Sequence, residues 1–517
     1  MSRPAISRRA LVGAGVAGAG LVGAGLLLRR GSAADGPRAP ARGGYIRVAT
    51  QSSSTSDTLD PAKGALSTDY VRHFMLYNGL TTIAPDMSTQ LSLAEAIESD
   101  DLVDWTIRLR RGITFHDGAD LTADDVVWSL RRHKDASVGS TVATIAEQFA
   151  NIAKVDRETV RLRLTGANAD LPTILSQSQF LIVRNGETSP AGNGTGPFKL
   201  SDFRPGVRTL VVRNPDYWVP DRPRLEGIEL ISIPDEVSRV NALLSGDVQL
   251  INAIDPRSTR RIEASAGHDL LVTRSGLYTD LVMRQGAMPT GNVHFSAAIK
   301  HMIDRPLVNR ALFRDFATIG NDQPIPPFHP LYNPNVGQTT VDLDKARWHL
   351  RQSGVGRTLL PVYASPAATG SIDMASILQE YGARIGLNLA VNRVPADGYW
   401  STHWGRHPLS FGNTNPRPTA DLIFSLFYKS DAEWNVSGWQ NERFDRLLIA
   451  ARGETNQALR EEMYGEMQQL VHDHCGVMIP VFISLIDGFD ARLKGLEPVP
   501  LGGLGGYRFA EDAWWEA

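Results

Sequence analysis

The sequence is short of the residues that build disulfide frameworks, zinc clusters and nucleic-acid surfaces. Its 517 residues include one cysteine, Cys475, which excludes an internal disulfide and any paired-cysteine metal or redox site. With 53 Lys and Arg against 56 Asp and Glu, the formal net charge is -3, so no basic excess points to nucleic acid as a partner. Hydrophobic residues make up 42% of the chain, which is typical of soluble globular proteins. At roughly 100–200 residues per domain, several domains are expected.

The sequence also lacks the short motifs that accompany common kinds of catalysis. It contains no GxSxG, HExxH or GxxxxGK[ST] pattern. A GxGxxG pattern occurs at Gly13–Gly18, but no strand precedes it and no amphipathic helix follows it, so we do not interpret it as a dinucleotide site. These observations predict a binding protein that uses no cofactor and is not an enzyme.

One cluster of potential metal ligands stands near the C-terminus. His472, Asp473, His474 and Cys475 are consecutive. On a helix, His472 and His474 would lie about 200° apart and could not reach the same ion. We therefore favour a helix C-terminus at which the histidines meet the negative end of the dipole. A secreted metal-dependent hydrolase is the alternative that this cluster leaves open.

The N-terminus indicates export. Ser7–Val12 matches the twin-arginine pattern, and Ala10–Leu28 is an uncharged apolar run. Small residues at 32–34 suit cleavage after Ala34. We therefore predict a twin-arginine signal peptide over residues 1–34, a Pro/Gly/Arg linker over 35–43 and a periplasmic or otherwise extracytoplasmic protein. An uncleaved membrane anchor is the alternative, because the apolar run is just long enough to span a bilayer.

The most informative segment is Trp105–Lys134. Alternating apolar residues at Trp105–Leu109 predict a strand, and Ile113–Phe115 predict a second short strand before a turn at His116-Asp117-Gly118. Thr122, followed three residues later by Asp125, predicts an acidic variant of the capping box at the start of a helix. The segment is therefore predicted to be a β-β-α unit.

The motifs of this segment, RxG, FHDG and TADDV in that order, resemble a signature of the peptide, opine and nickel class of solute-binding proteins that serve bacterial ABC importers. The resemblance covers most of the chain after residue 43. It recurs in Gly194–Phe198 (GTGPF), Arg213–Trp218 (RNPDYW), Ala298–Asp304 (AIKHMID), Asp344–Leu350 (DKARWHL) and Val477–Phe482 (VMIPVF). It implies an α/β, two-lobed periplasmic-binding-protein fold of type II, with an extra β-rich domain and a hinge between the lobes.

The domain boundaries follow from the resemblance together with the alternation of strands and helices. Asp235 is predicted to cap a helix that ends at Gly246, and Leu250-Ile251 follow as a strand. Lobe I is predicted to comprise residues 44–78, 195–290 and 485–517, the β-rich domain 79–194, and lobe II 291–484. A monomer is expected, whose closed, ligand-bound form is presented to permease subunits in the inner membrane. A ligand-sensing partner of a membrane receptor is a further alternative.

The ligand-binding candidates lie in segments dense in aromatic and amide side chains. Such segments provide flat apolar walls with a few directional hydrogen-bonding groups, which suits a polar ligand. The resemblance adds the first strand-to-loop junction. The predicted ligand-binding residues are Ser53, Ser54, Thr55, Trp400, Trp404, Phe411, Asn413, Asn415, Arg417 and Trp434.

The segment before Asp421 departs from the resembled family. In the corresponding segment, the peptide-binding members of that family carry a tryptophan and then an aspartate that pairs with the α-ammonium of the peptide. This chain has Asn413, Asn415 and Arg417 there, and no Asp or Glu between Arg406 and Asp421. An arginine favours a carboxylate, which it can bind through two parallel hydrogen bonds. The predicted ligand is a peptide, an opine or a similar amino-acid conjugate, with a preference for an acidic group.

Overall fold

The structure, a computed structural model, describes residues 42–287 and 290–516. The predicted signal peptide and most of the predicted linker lie outside the described residues. Within the ranges given, no helix combines the length and the apolar character needed to cross a membrane.

The strands and helices of this part of the chain alternate in the manner of an α/β protein. The strands are β1 (Tyr45–Thr50), β2 (Thr81–Ile83), β3 (Thr89–Leu91), β4 (Ala94–Glu98), β5 (Asp104–Leu109), β6 (Phe149–Lys154), β7 (Thr159–Leu164), β8 (Phe198–Arg204), β9 (Arg208–Arg213), β10 (Gly227–Ser232), β11 (Leu250–Ile251), β12 (His268–Met283), β13 (Thr318–Ile319), β14 (Leu359–Ala364), β15 (Asn388–Arg393), β16 (Leu409–Thr414), β17 (Val477–Met478), β18 (Val481–Asp490), β19 (Leu493–Lys494) and β20 (Trp514–Trp515). The helices are α1 (Ser67–Leu76), α2 (Ala123–Arg131), α3 (Ala143–Ala146), α4 (Leu171–Ile174), α5 (Glu236–Leu244), α6 (Thr259–Glu263), α7 (Val293–Met302), α8 (Arg305–Phe313), α9 (Leu343–Ser353), α10 (Ser371–Ile385), α11 (Tyr399–Thr402), α12 (Ala420–Phe427), α13 (Glu442–Arg452), α14 (Gln457–His474), α15 (Gly503–Gly506) and α16 (Phe509–Asp512).

The main sheet runs through both halves of the molecule. Its strand order is β15-β14-β16-β12-β18-β11-β1-β10-β9-β8, with β13 paired to β18 and β17 paired to β12. The long strands β12 and β18 lie in the middle and pair antiparallel from His268 with Asp490 to Tyr278 with Phe482, with an irregularity between Thr273 and Leu277. These two strands therefore connect the half built around β1 with the half built around β14.

The hydrophobic core divides in the same way. One set of buried residues, which includes Leu281, Leu378 and Phe411, fills the space between β12, β14, β16 and the neighbouring helices. A second set is built around β1 and β10. A third belongs to the antiparallel sheet β4-β5-β7-β6, where alternate residues of β5 are buried. The predicted domain boundaries stay a prediction, but two lobes and a β-rich unit are recognisable as separate cores.

The predicted second strand of the β-β-α unit is wrong. Ile113–Phe115 do not pair with β5. Instead, Thr114 forms a single bridge with Asp120, and the Phe115 N–H donates to the Ala119 carbonyl at 2.8 Å. These contacts close a local loop and do not extend the sheet. The tight turn at His116–Gly118 favours this local pairing. The predicted capping box is confirmed, since the Thr122 N–H donates to Asp125 Oδ2 at 2.8 Å.

The FHDG and GTGPF motifs contact each other. The ring nitrogens of His116 lie 3.1 Å from the carbonyl oxygens of Gly192 and Gly196. A Cβ at Gly194 would stand 2.1 Å from the Leu76 carbonyl oxygen, so only glycine allows this approach. His116 therefore positions a crossing of the chain.

Candidate functional site

A cavity of about 330 Å³ lies where the C-terminal segment meets the proline-rich loop before α9. Met87, Pro500 and Leu501 line one side. The other residues that line it are Gly276, Pro324, Ile325, Pro326, Phe328, His329, Pro416, Arg417, Thr419, Ala420 and Ile423. Proline fixes one backbone dihedral, so these walls are preformed. We call this space the arginine cavity.

Arg417 is the cationic group of the arginine cavity. Its side chain is partly buried, and Nη1 donates to the Pro416 carbonyl at 3.3 Å. Burial lowers the pKa of the guanidinium below its ordinary value, and the groups that oppose this effect are the hydroxyls of Tyr70, Tyr278 and Tyr507. None of these is a carboxylate. A partly desolvated cation without an anionic partner is suited to an anionic ligand.

The three tyrosines come from different parts of the fold. Tyr70 belongs to α1, Tyr278 to β12, and Tyr507 follows α15. The rings of Tyr70 and Tyr507 pack edge to face with centroids 5.3 Å apart. Arg417 comes from the segment between β16 and α12, so it lies where the two halves of the molecule meet.

A second cavity, of about 290 Å³, lies on one face of the β12–β16 pair. The strand register sets Tyr278 opposite Thr414 and Asp280 opposite Gly412. A Cβ at Gly412 would stand 2.4 Å from Asp280 Oδ1 and 3.1 Å from Trp404 Nε1. The glycine therefore leaves the space in which these two groups face each other. We call this space the aspartate cavity.

Asp280 is the acidic group of the aspartate cavity. The residue is 7% exposed, and its Oδ1 atom has no hydrogen-bond partner in the described part of the chain. Burial raises the pKa of the Asp280 carboxyl to about 7. Trp404 Nε1 is also buried, and no described residue forms a hydrogen bond with it. An acceptor and a donor without partners therefore stand side by side, although most buried polar groups are satisfied.

Three of the predicted ligand-binding residues line a cavity. Arg417 lines the arginine cavity, and Trp404 and Trp434 line the aspartate cavity. Trp434 remains 39% exposed and packs against Phe427 with ring centroids 5.3 Å apart. The aromatic walls expected from the sequence are thus present on the acidic side of the site.

Four other predicted residues of this region line neither cavity. Phe411 is fully buried in the core, and Asn413 Nδ2 donates to Thr279 Oγ1 at 3.0 Å. Both alternate with Gly412 along β16, so they point to the opposite face of the sheet. Asn415 is exposed beyond the end of β16. Trp400 is 43% exposed and packs edge to face on Trp404.

The predicted residues after β1 serve the loop that contains them. Ser53 Oγ donates to Asp57 Oδ2 at 2.6 Å, and the Ser54 N–H donates to Asp57 Oδ1 at 2.9 Å. Asp57 in turn pairs with Arg72 at 3.1 Å. Thr55 is exposed. This loop lines neither cavity.

The consecutive residues His472–Cys475 end α14. His472 Nδ1 lies 2.8 Å from the Asn321 carbonyl oxygen, and burial raises the pKa of the Cys475 thiol to about 11. Across residues 42–287 and 290–516, no group of three or more His, Cys, Asp or Glu is arranged to hold a metal ion. These contacts give the hydrolase alternative no support.

Sequence reasoning missed Asp280 and Gly412. Asp280 interrupts the apolar sequence of β12 with a charge, and a charged residue within a buried strand is the signal that could have identified it. The role of Gly412 depends on its cross-strand neighbour, which no local pattern reveals.

Comparison with known proteins identifies the class. The family model described as bacterial extracellular solute-binding proteins, family 5 Middle, matches residues 89–435. Heme-binding protein A of Haemophilus influenzae is 25% identical over 480 residues, which cover 84% of this chain and 85% of that protein. The match to the family model spans more than half of the sequence, so this chain belongs to that family.

Solved structures give the same fold. The ABC transporter-associated periplasmic binding protein DppA from Helicobacter pylori, in complex with the peptide STSA, has a TM-score of 0.76 at 22% identity and covers 92% of this chain and 99% of its own. The binding protein AgaA from A. tumefaciens R10, in complex with agropinic acid, has a TM-score of 0.75 at 21% identity with the same coverage. The predicted two-lobed type II fold is confirmed.

The family assignment also confirms the predicted kind of function. The chain is a solute-binding protein and not an enzyme, because members of this family bind their solutes. The family is extracellular, in agreement with the predicted location outside the cytoplasm.

Proposed function

We propose that the protein captures a carboxylate-bearing peptide, opine or similar amino-acid conjugate between its lobes and delivers it to the permease of an ABC importer. The observation that carries the proposal is Arg417, a partly buried guanidinium that lines a cavity and has no carboxylate partner within residues 42–287 and 290–516. A carboxylate of the solute would form charge-assisted hydrogen bonds with it and offset its loss of hydration.

The chemistry of the neighbours' ligands agrees with this class. DppA from Helicobacter pylori was solved with the peptide STSA and AgaA with agropinic acid. A peptide with a free C-terminus and an organic acid both offer a carboxylate.

The residues of the proposed site are a subset of those expected from the sequence. We assign solute contact to Arg417, Trp404 and Trp434, which line the two cavities. Phe411 packs in the core, Asn413 donates to Thr279 Oγ1, and Ser53 donates to Asp57 within the loop after β1, so we assign no solute contact to these residues.

The lobes follow the boundaries given above, and closure is proposed to occur about β12 and β18. Their pairing is irregular between Thr273 and Leu277, where Ser275 Oγ donates to the Ile483 carbonyl at 2.8 Å. The Leu277 N–H donates to the same hydroxyl at 3.0 Å. Replacing a ladder bond by a side-chain bond leaves a local point about which the strands can bend.

Export by the twin-arginine route and a monomeric state complete the proposal. The motif at Ser7–Val12 and the small residues before Asp35 support the route and the cleavage site. Replacing Arg8 and Arg9 by lysine should leave the precursor in the cytoplasm. Fractionation that still finds processed protein outside the cytoplasm would contradict this route.

The ligand class is tested with a thermal-shift panel of di- and tripeptides, opines and acidic amino-acid conjugates, each beside the amide of its carboxylate. At ~100 times its Kd, a ligand stabilises the native state by about 2.7 kcal/mol, which shifts Tm by a few degrees. We expect acids to stabilise the wild type more than their amides do. Arg417→Gln should abolish that difference.

Arg406→Gln is the matched control, because Arg406 is an exposed arginine that precedes β16. It should retain the preference for acids. Equal stabilisation by acids and amides in the wild type would contradict the proposal, and so would a preference for acids that persists in Arg417→Gln.

A further inference from the structure

We propose that the aspartate cavity is a subsite for a cationic amine of the solute, and that Asp280 accepts its N–H bonds. The protein would then select a zwitterion, with its carboxylate at Arg417 and its ammonium at Asp280. This inference rests on the proposed function in one respect, namely that the solute lies between the lobes.

Asp280 lines the cavity, and one oxygen of its carboxylate has no hydrogen-bond partner among the described residues. It lies on the same face of β12 as Tyr278, and both side chains line the cavity. Its Oδ1 atom is buried and receives no hydrogen bond from the described residues. An apolar group placed there would leave this acceptor unsatisfied, and an anion would be repelled. A positively charged hydrogen-bond donor satisfies the acceptor and is attracted by its charge.

The walls of the cavity suit a cation as well. Trp404, Trp434, Phe427 and Tyr428 provide aromatic rings, whose faces attract positive charge. Among the described residues that line this space, none is Lys, Arg or His. At pH values above about 7 the cavity therefore combines a negative charge with aromatic rings, and its described lining residues add no cation.

The indole N–H of Trp404 restricts which amines suit the aspartate cavity. This Nε1–H and Asp280 Oδ1 both border the space above Gly412, and the Nε1–H also has no partner among the residues that the structure describes. A solute group that satisfies both must donate to the carboxylate and accept from the indole. An ammonium next to a carbonyl or hydroxyl oxygen does this, as in an α-amino acyl group or an amino alcohol.

The two cavities lie near the same end of β16. Tyr278 lines the aspartate cavity, and its hydroxyl is close enough to Arg417 for each to affect the ionisation of the other. Thr414 lines the aspartate cavity, and Pro416, two residues later, lines the arginine cavity. One extended solute can therefore present opposite charges to the two cavities.

Binding of an amine at Asp280 should depend on pH. Burial raises the pKa of Asp280 to about 7, so its anionic form increases as the pH rises through neutrality. The other titratable groups that act on or respond to Asp280 are Tyr278, Tyr399, Tyr428 and Cys475, from four different elements, and none is a cation. Binding of an amine should therefore strengthen from about pH 6 to about pH 8.

The test uses three probes of equal chain length, namely pentylammonium, pentanoate and 5-aminopentanoate, in calorimetric titrations of the purified protein. Pentylammonium should bind the wild type and lose about tenfold or more in affinity in Asp280→Asn, whose side chain keeps the same shape. Arg417→Gln should keep or strengthen this binding. Pentanoate should show the opposite pattern, and 5-aminopentanoate should weaken in both variants.

Asp397→Asn, which changes an exposed acid before α11, is the control and should bind pentylammonium as the wild type does. Trp404→Phe provides a second variant that keeps an aromatic wall but removes the indole N–H. It should weaken binding of amines that carry an adjacent oxygen more than binding of pentylammonium.

The proposal is overturned if pentylammonium fails to saturate the wild type, or binds Asp280→Asn equally well at every pH. The cavity would then hold only water. Loss of pentanoate binding in Arg417→Gln would still support the proposed function in that case, so the two failures can be told apart.

Discussion

The two cavities beside β16 differ in how their charges are held. Arg417 projects from a segment between two prolines and remains partly exposed, whereas Asp280 is 7% exposed within β12. Partial hydration keeps the arginine charged at all ordinary pH values, while burial moves the aspartate into the range where it titrates. The comparison indicates a constant cationic site next to an acidic site that depends on pH.

The largest expected effect is a pH dependence of the protein's stability that comes from Asp280 and not from Arg417. The carboxyl of Asp280 titrates at about 7 in the native state and at about 3.8 unfolded, so between these values the native state holds a proton that the unfolded state has released. Stability should therefore fall as the pH rises from about 4 to about 7, by a few kcal/mol. Asp280→Asn should remove this part of the slope, as measured by urea unfolding at each pH.

Two variants complete this measurement. Asp487 of β18 is also fully buried with a pKa raised to about 7, so Asp487→Asn should remove a separate part of the slope. Arg417→Gln should leave the slope unchanged. A profile in Asp280→Asn that parallels the wild type would show that Asp280 is ionised in the native protein throughout.

The sequence predicted elements whose signals are local. The capping box of α2, the cap of α5 at Asp235 and the strand β11 after Gly246 all follow from residues a few positions apart. The prediction of a second strand in the β-β-α unit was wrong. Whether Ile113–Phe115 pair with β5 or form a local turn depends on backbone pairing rather than on composition. Pairing partners are the part of a fold that local patterns determine least.

The same distinction applies to the site. Arg417, Trp404 and Trp434 stand out in the sequence by residue type, and each lines a cavity. Gly412 and Asp280 become informative only through their cross-strand pairing, which joins distant parts of the chain. Ser53 and Ser54 have the polar side chains expected of a site, but Asp57 already takes up their hydrogen bonds.

A change at Gly412 should affect the aspartate cavity and spare the arginine cavity. In Gly412→Ala the new Cβ would stand 2.4 Å from Asp280 Oδ1, so the strand or the carboxylate must move. We expect a loss of about 1–3 kcal/mol of stability together with loss of pentylammonium binding. Pentanoate binding measured on the folded variant should persist.

The control is Gly267→Ala, because a Cβ at Gly267 meets nothing within 4 Å. Its stability and binding should match those of the wild type. Unchanged amine binding in Gly412→Ala would mean that the space above Gly412 is not where the amine lies.

The smallest expected effect concerns Arg417 in the absence of solute. Removing a partly desolvated cation that pairs with no carboxylate of the described residues should stabilise the ligand-free protein slightly, by less than about 1 kcal/mol. Arg417→Gln should therefore melt at or above the wild-type Tm while it loses its preference for acids. A clear drop in Tm would indicate that the guanidinium has a structural partner in solution.

Trp404 and Trp434, which border the aspartate cavity, have a practical consequence for finding the solute. Indole emission responds to the polarity and charge around the ring, and Trp404 stands beside a carboxylate that changes its charge near neutral pH. Filling this cavity should therefore alter the ultraviolet fluorescence of the unlabelled protein. The chain contains 10 tryptophans, so the difference between the wild type and Trp434→Phe isolates part of that response. The protein can thus act as its own optical indicator when mixtures of natural compounds are screened.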